Sequence, residues 1–517
     1  MSRTNHFWMF LIFILACRLL MMVVLPLTDP SEARYAEIAR VMAESHDWIT
    51  PWFSPGVPFW GKPPAAFWGP ALAMNLFGVS EFAVRLPAFL ASLATMMILF
   101  GLARALKGVV VARWTLLIYS SSVLPFIMTG AVLTDPFMVL GSTWMMAGII
   151  MAPRSQKWFW RYGLFLGTAI GLLAKGPLVL VLAGGAVIPW LLFSGEGWRT
   201  LKAQPWVAGT LLTLLLVLPW YIAAEIKTPG FLYYFLVGEH VLRFIEPGWA
   251  GDLYGGAHDH PRGTIWLYYL AGSFPWVLWL GVGLWKLATG KTEFQAPSPL
   301  TLYLLGWALC TPVFFTLSGN ILWTYVLPAL PAFSLLLGEL VGGNQKAKRE
   351  GEWALRSLSS RLGAGMVAGI VAGMVPVAMT AACVVLLQTP ERIKSEKSLV
   401  SYLDQNSPLG QNSSTQNCCL HGVVFLGEPT YSMRFYSGGS ISSMSVDELL
   451  GLNQGGLSLP SFIAVRSGKD TKLPPGYERV MNTKNIDLYK MQFDQLALDD
   501  ETSADERITD NTNQKLM

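Results

Sequence analysis

The sequence predicts a mostly α-helical polytopic membrane protein with about eleven transmembrane helices, two external amphipathic helices and a small C-terminal α/β domain. Three observations carry this. Of 517 residues, 53% are hydrophobic and only 14% charged, against roughly 25% charged in a soluble domain. Apolar runs of about 18 residues, the length that crosses a hydrocarbon core of roughly 30 Å, recur along the first three quarters of the chain. The lysines and arginines between them fall in alternate loops, as the positive-inside rule requires of real spans. A net charge of +4 distributed in this way offers no concentrated basic face to a nucleic acid, and none is expected as a partner.

The runs lie near 7–27, 82–103, 109–128, 132–151, 160–174, 177–193, 205–223, 264–285, 299–317, 321–341 and 362–387. Arg104, Lys107 and Arg113, then Arg154, Lys157 and Arg161, then Arg199 and Lys202, then Lys286 and Lys291, and finally the group from Lys346 to Arg361 follow every second run. These loops and the N-terminus are predicted to be cytoplasmic. Arg18 and further apolar sequence follow "ILAC", so the first run reads as an uncleaved signal anchor. The external side then holds the loop 28–81, the loop 224–263 and everything after 387, giving a membrane domain over 1–387. From 388 to 496 the chain turns polar, with alternating stretches "HGVVFLG" and "SFIAVRS" that read as strands of a small external domain. The acidic and polar end, 497–517, reads as disordered.

The first external loop contains "DPSEARYAEIARVMAES", predicted to form an amphipathic helix on the membrane surface, and "GKPPAAFWGPALAMNLFG", predicted to form a second. Trp48, Trp52, Phe53, Phe59 and Trp60 between them read as an interfacial aromatic belt. Asp29, Glu32, Arg34 and Lys62 do not fit an anchor, which gains little from carboxylates. Ionisable residues near hydrocarbon each cost about 2.5 to 3.5 kcal/mol at a helix centre. Asp135 in "GAVLTDPFMVL" and Lys175 in "GLLAKGPLVL" nevertheless stand at the external ends of apolar runs. A helix start accounts for part of Asp135. Together with the first loop, these residues offer carboxylates and ammoniums at one depth, which suits gripping a phosphate while a hydroxyl is deprotonated. The second loop adds Glu239, His240, Arg243 and Asp252, and "HDH" at 258–260 reads as a solvated loop.

The ordered set "DPSEARYAEIARVMAESHDWITPWFSPGVPFWGKPPAAFW", "AVLTDPFMVL", "LLAKGPLVL", "FLVGEHVLRF", "AGSFPWVLWL" and "WTYVLPALPAFSLLLG" resembles the aminoarabinose transferase-like, protein O-mannosyltransferase-related membrane glycosyltransferases of the GT-C type, over about residues 7–345. The resemblance implies a pentosyl- or hexosyltransferase of the bacterial inner membrane. It would take its sugar from a polyprenyl-phosphate carrier on the periplasmic side and pass it to a membrane or cell-surface acceptor such as lipid A, another glycan or a protein hydroxyl. It also implies a site: Glu32 and Asp135 as acids, Lys62 and Lys175 toward the carrier phosphate, Tyr325 in the carrier pocket, and His240 joining Glu32 around a divalent ion, Zn, Mg or Mn. Arg34 and Arg243 are assigned beside the lysines at the phosphate, and Tyr35 beside Tyr325 in the pocket. The motif departs from the family at Ser31, where an acid is usual, and at Gly61, often Glu. Asp29 is therefore carried as an alternative first-loop acid. Membrane lipids are expected around a monomer. A transporter or flippase is the competing reading, although the polar residues gather at one face rather than at a midplane site between repeats. A scaffold whose external tail binds a partner would leave Lys62, Asp135 and Lys175 without a role.

Overall fold

The computed structural model describes residues 3–246, 248–255, 258–289, 296–342, 364–406, 422–454, 459–468 and 471–492. The predicted tail 497–517 and the basic group from Lys346 to Arg361 lie outside the described residues. The chain forms two compact units, one comprising Met1–Leu25 with Ile38–Cys383 and the other Pro26–Glu37 with Val384–Met517.

The first unit is helical, and helix occurs at each of the eleven predicted runs. Among the described residues, seven helices are long and apolar enough to cross a membrane. The other runs are shorter or interrupted: Val109–Ser121, Gly163–Lys175 and Leu178–Phe193 are 13, 13 and 16 residues long. The run 109–128 is broken at Ser122, and the run 264–285 between Thr264–Gly272 and Val277–Ala288. Pro275, which has no N–H to continue a helix, lies in the second break. The two breaks meet, for Val123 N–H donates to Phe274 O at 3.0 Å and the Trp276 indole to Ser121 Oγ at 2.9 Å. Irregular backbone at membrane depth is tolerable only when satisfied within the protein in this way. On Trp206–Lys227 the exposed face carries Leu211, Leu215, Ile222 and Ile226, the surface that lipid would cover.

Both predicted helices of the first loop form, as Ser31–Ser45 and Ala65–Phe77. Ser31–Ser45 buries Ala33, Ala36, Ile38, Ala39 and Met42, and also Tyr35, Glu37 and Arg40. Ala65–Phe77 is apolar on both sides, burying Phe67 and Met74 while exposing Leu72, Leu76 and Phe77. The aromatic residues build the loop's own core: Phe59 is buried, stacked on Phe53, and the indoles of Trp52, Trp60 and Trp68 donate to Asp47 Oδ2, Thr228 Oγ1 and Trp48 O.

In the second unit, strands run in the order Ser442–Met444, Val423–Leu426, Phe462–Arg466, Ile486–Met491, Tyr477–Asn482. The first three are parallel and the last two antiparallel to their neighbours. Val423 and Phe425 face the helices Lys397–Asn406 and Tyr431–Tyr436, whereas Val424 and Leu426 face Leu449 on Val446–Gln454. Burial on both faces explains why "VVFL" and "FIAV" are apolar runs.

Candidate active site

The helices Asp135–Met151 and Gly163–Lys175 pack tightly along their lengths. A Cβ added at Gly148 would strike the Leu164 backbone, and one at Gly141 would lie 2.7 Å from Gly167 O. Small residues let two helix backbones approach this closely. Asp135 begins one helix and Lys175 ends the other, each at the end whose dipole favours its charge. Gly176 follows with φ +75° and its N–H bonded to Leu172 O, so the Lys-Gly-Pro order ends one helix and opens the next. Lys175 Nζ donates to Asp135 Oδ1 at 2.8 Å and stands 4.6 Å from the Tyr325 ring centroid. Both charged residues are buried, at 7% and 8% exposure.

Lys62 forms the second cationic point. Its ammonium donates to Gly61 O at 2.5 Å and to Glu239 Oε2 at 3.0 Å. Glu239 also accepts from Arg243 at 3.0 Å, and Arg243 pairs with Asp252 at 3.3 Å. Glu239 and His240 lie on a π-helical segment, Tyr234–Leu242, a conformation that concentrates at functional sites. Gly61 makes room for this arrangement, since a Cβ there would lie 3.3 Å from Glu239 Oε1; the carboxylate beside Lys62 therefore comes from position 239. Behind it, Tyr254 OH accepts the Trp60 N–H at 3.0 Å and donates to Pro58 O at 2.7 Å.

Burial pushes the Lys62 ammonium below the ordinary lysine value, opposed by Glu239 and assisted by the charges of Arg243 and Lys175. Burial alone would raise Glu239, but Lys62 and Arg243 outweigh it and hold the carboxyl below its usual range. Burial likewise opposes the charge on Arg243, which Glu239 and Asp252 nonetheless hold above its usual value. The structure thus brings Lys62, Asp135, Lys175, His240, Arg243 and Tyr325 into one electrostatic neighbourhood of the first unit. Three cations there are balanced by Asp135, Glu239 and Asp252.

Glu32, Arg34, Tyr35 and Asp29 belong to the second unit. Glu32 stands partly exposed in the first turn of its helix. Arg34 lies over the Tyr431 ring at 5.9 Å, and Tyr35 is buried. The Asp29 carboxylate is held by Ser432, whose backbone N–H donates to it at 3.1 Å. The sequence reading gave no role to Glu239 or Asp252. The one local signal for Glu239 is its spacing of four from Arg243 beside His240.

For a divalent ion the residues do not fit. The His240 ring nitrogens face Phe235 O at 2.7 Å and Lys175 O at 3.1 Å. Burial lowers its pKa, so the ring is held neutral, and its single N–H points at one carbonyl or the other. No group of three or more His, Cys, Asp or Glu is gathered among the described residues, so no step below passes through a metal. The stretch "HDH" is a loop with His258 and Asp259 exposed, as predicted, tethered by His260 N–H donating to Gly319 O at 3.0 Å and by the bridge of Asp259 to Asn320.

Comparison with known proteins bears out the resemblance and the fold class. The family described as dolichyl-phosphate-mannose-protein mannosyltransferase matches residues 5–235. The undecaprenyl phosphate-alpha-4-amino-4-deoxy-L-arabinose arabinosyl transferase of Edwardsiella ictaluri is 32% identical over 335 residues, 62% of this chain and 58% of that protein. Its Aeromonas hydrophila counterpart is 29% identical over 359 residues, covering 67% and 62%. The chain therefore spans about three fifths of the length of these curated relatives. The crystal structure of ArnT from Cupriavidus metallidurans bound to undecaprenyl phosphate aligns with a TM-score of 0.74 over 94% of this chain and 98% of that one, at 17% identity. A likeness at that identity speaks for the fold alone.

Proposed function

We propose that this chain, ArnT-like in motif order, sequence and fold, is a multi-pass glycosyltransferase that takes a sugar from a polyprenyl-phosphate carrier and passes it to a hydroxyl of a membrane or cell-surface acceptor. The observation that carries the proposal is the convergence of Lys62, Arg243 and Lys175, with their buried carboxylates, at one end of apolar helices. That is a costly arrangement for a merely structural purpose, and it suits a phosphate. In the reaction, the acceptor oxygen bonds to the anomeric carbon as the bond from that carbon to the phosphate oxygen breaks. Polyprenyl phosphate leaves with the electron pair, and the hydroxyl proton passes to a carboxylate. Lys62 and Arg243 neutralise the charge that develops on the leaving phosphate. Glu32 is the first-loop acid of this reading, because Ser432 already holds Asp29. Asp135 orients Lys175 over the Tyr325 ring.

The named relatives act on 4-amino-4-deoxy-L-arabinose carried by undecaprenyl phosphate. That aminopentose donor is the first to try here, a hexose donor the second, and lipid A the first acceptor. Purified protein supplied with the lipid-linked sugar should release polyprenyl phosphate and retain that activity in chelator. Release that vanishes in chelator and returns with a divalent ion would reinstate the metal, and no release with any donor would remove the proposal.

The same reading places the site and the C-terminal domain on the periplasmic face of the inner membrane, from the alternation of basic loops. Reporter fusions after Lys346 and after Pro390 should then report opposite sides. The same side for both would defeat this orientation.

A further inference from the structure

The segment Pro26–Glu37 is continuous with the membrane unit in sequence but belongs to the compact unit formed by the C-terminal residues. Its attachments are specific. Leu27 N–H donates to Tyr436 OH at 2.7 Å, and Asp29 N–H to Lys394 O at 2.8 Å. The Asp29 carboxylate accepts from both the backbone N–H and the hydroxyl of Ser432. Arg34 lies over Tyr431. Ser432 is itself held from behind, for its oxygen accepts the Glu396 N–H at 3.1 Å. Glu396, with no exposed surface, accepts from Thr483 Oγ1 at 2.6 Å and Asn485 Nδ2 at 3.2 Å. Burial pushes Asp29 up, and it pushes Glu396 up to about 7 against those two hydrogen bonds, with the Asp29 charge adding to the rise. A buried carboxylate that receives a relay of donors is strongly localised, since a partner lost leaves it uncompensated.

Glu32 lies between these attachments, three residues after Asp29 and two before Arg34. We infer that Asp29 and Ser432 are positioning residues, through which the C-terminal domain holds the helix start that carries Glu32. This rests on the glycosyltransferase reading for its catalytic consequence, but not for its structural one.

The test uses the full-length protein with Ser432→Ala, Asp29→Asn, their double variant and the milder Tyr436→Phe. Amide exchange needs no activity. Protection of Ala33–Glu37 should fall at least about tenfold in Ser432→Ala, while Asp135–Met151 keeps its protection. Unchanged exchange in the first segment would overturn the inference whatever the enzyme does. In active protein, misplacement of a reacting group by about 1 Å can cost as much as 10²-fold. Ser432→Ala and Asp29→Asn should therefore each lower kcat about 10- to 100-fold with the donor KM nearly unchanged, because Lys62 and Arg243 hold the phosphate. Tyr436→Phe should show a smaller loss of the same kind. The double variant should be no worse than the poorer single one, as expected of residues acting through one bond. An inactive Asp29→Asn beside a fully active Ser432→Ala would make Asp29 itself catalytic and overturn the assignment. If wild type releases no polyprenyl phosphate while Ser432→Ala loses protection, the functional reading fails and the attachment stands.

Discussion

Lys62→Ala should lower sugar transfer by about 10² to 10³-fold in kcat/KM, the loss that follows removal of a preorganised charge at a developing anion. The protein should still fold, because Glu239, left without Lys62, keeps Arg243 at 3.0 Å. The pH profile carries a second test. Only the protonated ammonium serves a phosphate, and burial with Arg243 and Lys175 nearby lowers its pKa. Activity must therefore fall as pH rises through a value below that of an exposed lysine, about 10.4. Lys62→Arg, which stays charged, should remove that alkaline limb even if it lowers the plateau. For stability the sign is opposite to that of a favourable ion pair. A lysine with a depressed folded pKa binds fewer protons when folded, so its contribution improves as pH rises between the folded and unfolded values. Glu239, depressed by its partners, contributes stability above the ordinary carboxylate pKa and loses it as pH falls through its folded value. Rates for Lys62→Ala within threefold of wild type would contradict the phosphate role.

The pair Asp135–Lys175 should behave differently. Asp135→Asn and Lys175→Met should each reduce transfer about 10² to 10⁴-fold, and each should also destabilise. Removing one member of a buried ion pair leaves an uncompensated charge, at a cost of about 3 to 5 kcal/mol. The double variant Asp135→Asn/Lys175→Met separates the two effects, since it removes both members of the pair together, leaves neither charge uncompensated and should recover much of the thermal stability. Recovery of stability without activity is the expected outcome, and marks the pair as retained for chemistry. A double variant with both stability and activity restored would reduce the pair to a structural tie between helices.

Helix existence was legible because apolar runs report it locally, and so was the concentration of polar groups at one end of the spans. Lys175 and Asp135 could be singled out because each stands alone in an apolar setting, but their ion pair is seen only in the fold. Continuity was less legible. Ser122 and the Ser273–Trp276 break interrupt runs whose average apolarity is uniform, and what permits them is one partner for each break on the other, a long-range fact. Glu239 escaped assignment because in sequence it is one acid in a loop rich in them; its significance comes from Gly61, 178 positions earlier by number, which leaves space beside Lys62. On Ser31–Ser45 periodicity shows that one face is apolar, but it does not reveal that Glu37 and Arg40 are also buried.

The attachment of Asp29 to Ser432 joins residues 403 positions apart, and this sets an order of assembly. At about 5 to 20 residues per second of synthesis, the serine emerges on the order of 20 to 80 s after the aspartate it must meet. Until then the turn carrying Glu32 lacks its docking surface while the helices between are being inserted. The last quarter of the polypeptide therefore closes a structure that its first forty residues opened. A ribosome that stalls or terminates within the C-terminal domain yields a chain whose apolar helices are all made but whose first loop lacks the surface on which Asp29 is held.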